Sequence, residues 1–106
     1  MITDDEIEKA VDWLKENAKS SANSRATRIY LEEYRKSLKA LIMREYLNLP
    51  VSAQEREAYA DARYIKHLNA LKIAVEEDEK NKFLRASADA KIEAWRTFQA
   101  NNRIKL

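Results

Sequence analysis

The segment Leu47-Asn48-Leu49-Pro50-Val51-Ser52-Ala53-Gln54-Glu55 interrupts a chain that otherwise has the sequence pattern of helices. Pro50 is the only proline, and proline moves the preceding residue out of the α region, so a helix should end by Leu49. Ser52 followed by Glu55 matches a capping box, which predicts a second helix from about Ala53. A helix end and a helix start this close together predict a helical hairpin.

The composition supports long helices and excludes several kinds of site. The 106 residues include no glycine and no cysteine. The chain is rich in Ala, Leu, Glu, Lys and Arg, which lose little side-chain freedom in a helix. Without cysteine there is no disulfide and no thiolate metal site, and without glycine there is no glycine-rich phosphate loop. The length, with no visible linker, predicts one domain, residues 1–106.

The first helix is predicted to extend from about residue 4 to residue 48. Thr3 and Glu6 form a capping box at its start. The polar segment 19–24 is a possible break, which would give a three-helix protein, but we favour one continuous helix because neither Gly nor Pro marks a turn. The predicted apolar stripe follows Ile7, Ala10 or Val11, Leu14, Ala18, Ala22, Ala26, Ile29 or Tyr30, Tyr34, Leu38, and Leu41 or Ile42.

The second helix is predicted to extend from about residue 53 to residue 99, with Asn101 and Asn102 ending it. Asp61 is a possible kink, although no Pro or Gly enforces one. The acidic run 76–79 has the pattern of a solvated helix face rather than a cation site. The predicted stripe follows Ala58, Ala62, Ile65, Leu68, Leu71 or Lys72, and Val75, and it resumes at Phe83 or Leu84, Ala86, Ala90, Ile92 and Trp95.

The two helices predict an all-α fold, a long antiparallel hairpin with a polar middle. Chain reversal near residue 50 places the polar segment 19–24 opposite the acidic segment 76–82. Two helices alone bury one stripe each, which makes a narrow core. We therefore expect self-association of two hairpins into a four-helix bundle, a coiled-coil homodimer, with the relative direction of the two hairpins left open.

Recognisable catalytic chemistry is absent from the sequence, so we expect a protein that is not an enzyme and needs no metal or cofactor. His67 is the only histidine, and we expect it to be exposed or at the edge of the core. The serines have no partner histidine nearby in the sequence for a hydrolytic triad. The acidic N-terminus is unlike a secretory signal, and no apolar run is long enough to cross a membrane, so a soluble, cytoplasmic protein is expected.

Basic and aromatic side chains are the candidates for contact with nucleic acid or a partner, although the net charge of the chain is only +2. One group lies in the first helix, where Tyr30 and Tyr34 fall between bases in the sequence; the other lies near the C-terminus. Bases can contact phosphates and aromatic rings can stack on nucleic-acid bases. The alternative is that the tyrosines are core residues and the basic side chains form a solvent-exposed face of the helix. The candidates are Arg25, Arg28, Arg35, Lys36, Lys39, Trp95, Arg96 and Arg103.

Three segments of the second half resemble small helical proteins encoded by bacteriophages and prophages: residues 57–61 (EAYAD), 64–71 (YIKHLNAL) and 90–97 (AKIEAWRT), with a weaker echo at 30–36. The resemblance implies a non-enzymatic accessory protein acting in a bacterial cytoplasm. The leading hypothesis is therefore a self-associating protein that binds an unidentified protein partner through its helical faces. The alternative is a nucleic-acid-binding accessory factor that uses residues 25–39 and the basic C-terminal end.

Overall fold

Helices make up most of the computed structural model, which describes residues 2–105 and the side chains of residues 2–103. Helix α1 is Asp4–Met43, a short 3-10 helix is Arg44–Tyr46, α2 is Val51–Ala60 and α3 is Ala62–Lys105. Helices α1 and α3 pack against each other in opposite directions, as the contact between Leu31 and His67 illustrates. The predicted all-α class and the helical hairpin are confirmed.

The first helix begins where the sequence predicts. The backbone N–H of Glu6 donates to Thr3 Oγ1 at 3.2 Å, which is the first bond of the capping box. Helix α1 then continues without interruption through residues 19–24, so the three-helix alternative is wrong. The helical segment continues to Tyr46, close to the predicted end at about residue 48. The α-helix ends at Met43, and the following 3-10 turn tightens the backbone before the chain reverses.

The connection to the second helix uses Gln54 rather than the predicted capping box. Pro50 is the N-cap of α2, and its carbonyl accepts the first helical hydrogen bond from Gln54 N at 2.9 Å. Helix α2 thus starts at Val51, earlier than predicted, and Ser52 lies inside it. The buried Gln54 side chain donates from Nε2 to the Leu49 carbonyl at 2.8 Å, which ties the end of the loop to the helix.

Asp61 separates α2 from α3, so the helical segment predicted over residues 53–99 is divided there, at the position where the sequence allows a kink. Its backbone is extended, with φ −69° and ψ 137°, and its Oδ1 accepts a hydrogen bond from the Arg63 backbone N–H at 2.8 Å. This is the geometry of an aspartate N-cap, which satisfies an amide that the first turn leaves unpaired. The Arg63 guanidinium also bonds Asp61 and reaches Glu45 at 2.6 Å. Those interactions lower the pKa of Asp61, chiefly through Arg63.

The third helix is longer than the sequence predicted. It continues to Lys105, so Asn101 and Asn102 are helical residues rather than a helix end. Asparagine is a weaker helix former than Ala or Leu but does not forbid the helix, and no Pro or Gly follows.

The chain forms two compact units, and each contains part of α1 and part of α3. Unit 1 comprises Met1–Asn23 and Glu79–Leu106; Ala10 and Ala88 are its buried apolar residues in the described part, and Trp95 Nε1 donates to Asp4 at 3.2 Å. The prediction of a single domain stays a prediction.

Unit 2, Ser24–Asp78, contains α2 and the larger core. Ile42, Ala58 and Tyr64 are buried together, and Leu38, Met43 and Tyr46 pack against them. His67 is also buried, and its Nε2–H donates to the Leu31 carbonyl at 2.7 Å. The prediction of an exposed or edge histidine is therefore wrong, because a backbone acceptor at the helix–helix contact satisfies the ring.

The inward-facing residues of both helices recur at spacings that alternate between three and four, which is typical of two helices in extended contact. In α3 they include Tyr64, His67, Leu71, Ala74, Asp78, Asn81, Ala88, Ile92 and Trp95. In α1 they include Ile7, Ala10, Leu14, Asn17, Ser21, Ser24, Arg28, Leu31, Leu38 and Ile42. We call these two rows the seam. The predicted stripes depart from the seam mainly where the seam is polar, between Ala18 and Tyr34 in α1 and at Ile65 and Leu68 in α3. They also depart from it at Ala86 and Ala90, which are exposed.

An ion pair links the two helices of unit 2 across the polar part of the seam. Arg28 Nη1 lies 3.0 Å from Asp78 Oδ2, and Arg28 Nε lies 2.9 Å from Glu32. The Asp78 side chain is only 4% exposed and that of Arg28 is 25% exposed. Removing one partner of such a pair leaves a desolvated charge, whereas replacing both with apolar residues is often neutral or stabilising. The pair thus fixes which residues of α1 and α3 lie side by side.

The first prediction concerns this ion pair. We expect Asp78→Ala to lower the free energy of unfolding by about 2–3 kcal/mol, because the partly desolvated Arg28 loses its buried carboxylate and keeps the more exposed Glu32. The double variant Arg28→Leu with Asp78→Leu should recover most of that loss. Urea denaturation at one fixed protein concentration measures both. A loss in Asp78→Ala below about 0.5 kcal/mol, the range of an ordinary surface substitution, would contradict the role assigned to the pair.

The second prediction concerns the cap at Asp61. Asp61→Ala should lower the melting temperature by about 4 °C, and Asp61→Asn, which keeps a capping oxygen, should lower it less. Because the pKa of Asp61 is below its ordinary value of 3.8 in the folded chain, the stabilisation is present above that value. It is lost as the pH falls through the lower folded pKa. Thermal melts of the three proteins at neutral and acidic pH check this, and equal melts for Ala and Asn variants would contradict it.

Candidate interaction surfaces

The predicted basic group of α1 is divided between different roles. Arg28 is part of the seam and is bonded to Asp78 and Glu32. The Lys39 ammonium lies 4.6 Å from the centre of the Tyr59 ring and 3.7 Å from Glu55. The interaction with Tyr59, followed by that with Glu55, raises the pKa of Lys39. Both side chains therefore hold elements of unit 2 together.

The remaining bases of this group do not share a face with the tyrosines. Lys36 is exposed and lies 3.4 Å from Glu33. Arg25 and Arg35 are exposed, and within residues 2–103 neither forms an ion pair. At about 100° per residue, Arg25 and Lys36 lie on the opposite side of α1 from Tyr34. The interleaving seen in the sequence is thus not an interleaving on one surface.

Tyr30, Tyr34 and His67 form an aromatic row on unit 2. The rings of Tyr30 and Tyr34 are stacked, with centroids 5.9 Å apart and an angle of 11° between their planes. Tyr34 also contacts the His67 ring, with centroids 5.5 Å apart. Tyr30 is 65% exposed, so the alternative that both tyrosines are core residues is wrong. The row leads from the buried His67 ring to Tyr34 and Tyr30, which form an aromatic patch at the surface.

The structure brings together the second group of candidates near the end of α3. Trp95, Arg96 and Arg103 line one hollow of about 630 Å³, with Glu93 and Gln99 also at its wall. Trp95 is half-buried because its ring covers the start of α1, where its Nε1–H bonds Asp4. Arg96 is exposed and lies 3.4 Å from Glu93. This hollow combines two cations with the edge of an indole ring.

Unit 1 has a second hollow that the sequence analysis did not identify. It has a volume of about 270 Å³ and lies between α1 and α3. Its floor is made of small residues, and Trp13 and Leu84 stand at its sides. Beside it, Phe98 lines a further hollow of about 270 Å³ with Ile2, Ala94 and Trp95. The lining residues of the first hollow are Glu6, Lys9, Ala10, Trp13, Leu84, Ser87, Ala88 and Lys91.

Large apolar side chains lie mainly outside the seam. Of the six buried apolar residues described, Ala10, Ala58, Ala74 and Ala88 are alanines, and only Ile42 and Tyr64 are large. The exposed large apolar residues are Val11, Ile29, Tyr30, Tyr34, Leu41, Leu47, Val51, Tyr59, Ile65, Leu68, Ile73, Phe83, Leu84 and Phe98. Those of these side chains that lie next to one another are candidates for contact with another molecule.

The total accessible surface area of the chain is also larger than that expected for a folded monomer of its mass. The chain exposes 8048 Å². A folded monomer of 12.4 kDa is expected to expose about 6,100 Å². The difference, about 1,900 Å², exceeds the roughly 800 Å² that each partner buries in a standard protein–protein interface. The chain thus has enough unburied surface for a further protein contact.

The described residues offer little else of a chemical kind. Within residues 2–103, no three side chains of His, Asp or Glu are grouped closely enough to hold a metal ion. None of the helices in the described part combines the length and apolar character needed to cross a membrane. Comparison with known proteins finds no matching family model, no matching curated protein and no matching solved structure.

Proposed function

We propose that this chain is a non-enzymatic accessory protein that self-associates and binds a protein partner through its helical faces. The observation that carries the proposal is the distribution of apolar side chains, since many large ones are exposed outside the seam, whereas four of the six buried apolar residues described are alanines. An exposed Leu or Phe gains about 1.5–3 kcal/mol when it is fully buried. Contact with another protein is the means by which these side chains can be buried.

Self-association supplies part of that contact. Two hairpins that bury their outer apolar faces against each other form a four-helix bundle, with interdigitating side chains of the coiled-coil type. Tyr30 and Ile73, each more than half exposed, are among the large apolar side chains that a single hairpin leaves in water. Faces that the bundle does not cover would then remain for a different protein.

A phage-type role in a bacterial cytoplasm is the part of the proposal that rests on sequence resemblance. The segments that carry it, residues 57–61, 64–71 and 90–97, are helical, and they fall mainly on α2 and α3. Their exposed residues Tyr59, Ile65 and Leu68 are among the apolar side chains available for a partner.

The third prediction tests self-association. Sedimentation equilibrium of the unmodified protein from low to high micromolar concentration should give a mass that rises towards twice 12.4 kDa. The physical reason is that the apolar surface outside the seam is buried only in the dimer. A mass that stays at 12.4 kDa over the whole concentration range would contradict the proposal.

The alternative function is a nucleic-acid-binding accessory factor, and its support is the hollow at the end of α3. Trp95, Arg96 and Arg103 line that hollow, and an indole ring with two guanidinium groups can supply stacking and phosphate contacts. The α1 group supports it less, because Arg28 and Lys39 are engaged within unit 2. We rank this function second for that reason.

The fourth prediction tests the alternative. If the hollow binds single-stranded DNA, the affinity should fall with salt at a log–log slope of about −0.7 for each phosphate contacted. Arg96→Gln with Arg103→Gln should then make the slope less steep by about 1.4. The matched control is Arg25→Gln with Arg35→Gln, which removes the same charge from α1 and should leave the slope unchanged. The absence of any binding at low salt would exclude this function.

A further inference from the structure

The outer face of unit 1 beside the Trp13 hollow has charges of opposite sign on its two helices. Glu6 and Lys91 both line the hollow, one from α1 and one from α3. Glu16 lies seven residues, close to two turns, beyond Lys9 of the lining, and Lys80 lies seven residues before Ser87. The face therefore has an acidic edge, Glu6 and Glu16, on α1 and a basic edge, Lys80 and Lys91, on α3.

These four charges are available to another molecule. All four are exposed, and within residues 2–103 none of Glu6, Glu16, Lys80 and Lys91 forms an ion pair. Lys9, which lies on the acidic edge, is already paired with Asp5 at 3.1 Å. Between the two edges lie Trp13, Leu84 and the small residues that make the floor of the hollow. The face thus has an apolar centre with unpaired charges at its rim, which is the usual anatomy of a protein interface.

We propose that this face binds a second copy of the same chain, with the two hairpins pointing in the same direction. A two-fold axis parallel to the helices places α1 of one copy over α3 of the other. Because α1 and α3 are antiparallel within each copy, Glu6 then meets Lys91 of the second copy at the same level. Glu16 likewise meets Lys80 of the second copy, further along the same pair of helices. The acidic edge of each copy contacts the basic edge of the other, and Trp13 and Leu84 fill the space between them.

If the two hairpins point in opposite directions, the acidic edge of one copy does not face the basic edge of the other. With the two hairpins reversed about an axis across the helices, α1 lies over α1 and α3 lies over α3. Acidic helices then face acidic helices, and basic helices face basic helices. Charge complementarity selects the register and the partner more strongly than it adds affinity, so it decides between the two directions. This inference rests on the proposed self-association and adds its surface and its direction.

The experiment uses two charge-reversal variants of the full chain, Glu6→Lys with Glu16→Lys and Lys80→Glu with Lys91→Glu. Each variant alone should have a dimer Kd raised about 100-fold, because four exposed ion pairs become four repulsions. An equimolar mixture of the two should form a heterodimer with a Kd within about tenfold of the unmodified one, since every pair is again attractive. Sedimentation with one variant fluorescently labelled measures the Kd of the two variant homodimers and of the heterodimer. An unchanged circular dichroism spectrum shows that each variant is folded.

A matched pair of apolar variants separates this surface from others. Leu84 is 41% exposed and lines the hollow, whereas its neighbour Phe83 is 72% exposed and lies about 100° around the helix. Leu84→Ser should weaken the dimer, and Phe83→Ser should not. The reverse result, or charge variants that dimerise normally, would overturn the proposed face while leaving self-association intact. A monomeric unmodified protein would instead overturn the proposed function.

Discussion

The seam between α1 and α3 is the constraint on which the rest of this structure depends. Two helices in extended contact normally bury one apolar stripe each, but here the middle of the seam contains Asn17, Ser21, Arg28, Asp78 and Asn81. A buried polar group costs stability unless it is bonded, and in the described residues every buried side-chain nitrogen and oxygen has a partner. Such contacts fix the register of the two helices more than they stabilise them, because a slip would break the Arg28–Asp78 pair.

The polar seam has a consequence for the outside of the molecule. Small and polar residues in the seam bury little apolar area, and many large apolar side chains are exposed on the outer faces. The Trp13 hollow and the aromatic row around Tyr34 are two results of this arrangement. A chain with few large buried residues has a small margin against conformational entropy. The proposed association with a second copy would increase that margin, and folding and function would then depend on the same surfaces.

Much of the fold could be predicted from the sequence, because Pro50 and the capping signal at Thr3 act locally. The start of α1 and its continuity through residues 19–24 followed from Thr3 and from the missing Gly and Pro. The sequence predicted less well which residues of each helix are buried. A search for apolar periodicity follows apolar residues, so it passed from the true seam to Ile65 and Leu68 and missed His67, whose acceptor belongs to the other helix. The candidate contact residues were also predicted incompletely. Their charge identified Arg28 and Lys39 as candidates, but only the tertiary contacts show that these side chains hold unit 2 together.

The dependence of the melting temperature on protein concentration tests the central claim most directly. If the large outer side chains are buried only by association, the dimer is more stable than the hairpin, and mass action must raise the melting temperature with concentration. The account predicts a rise of several degrees between low and high micromolar protein, followed by circular dichroism at the helical minimum. A melting temperature that does not change over that range would show that the seam alone stabilises the fold, and would contradict the account.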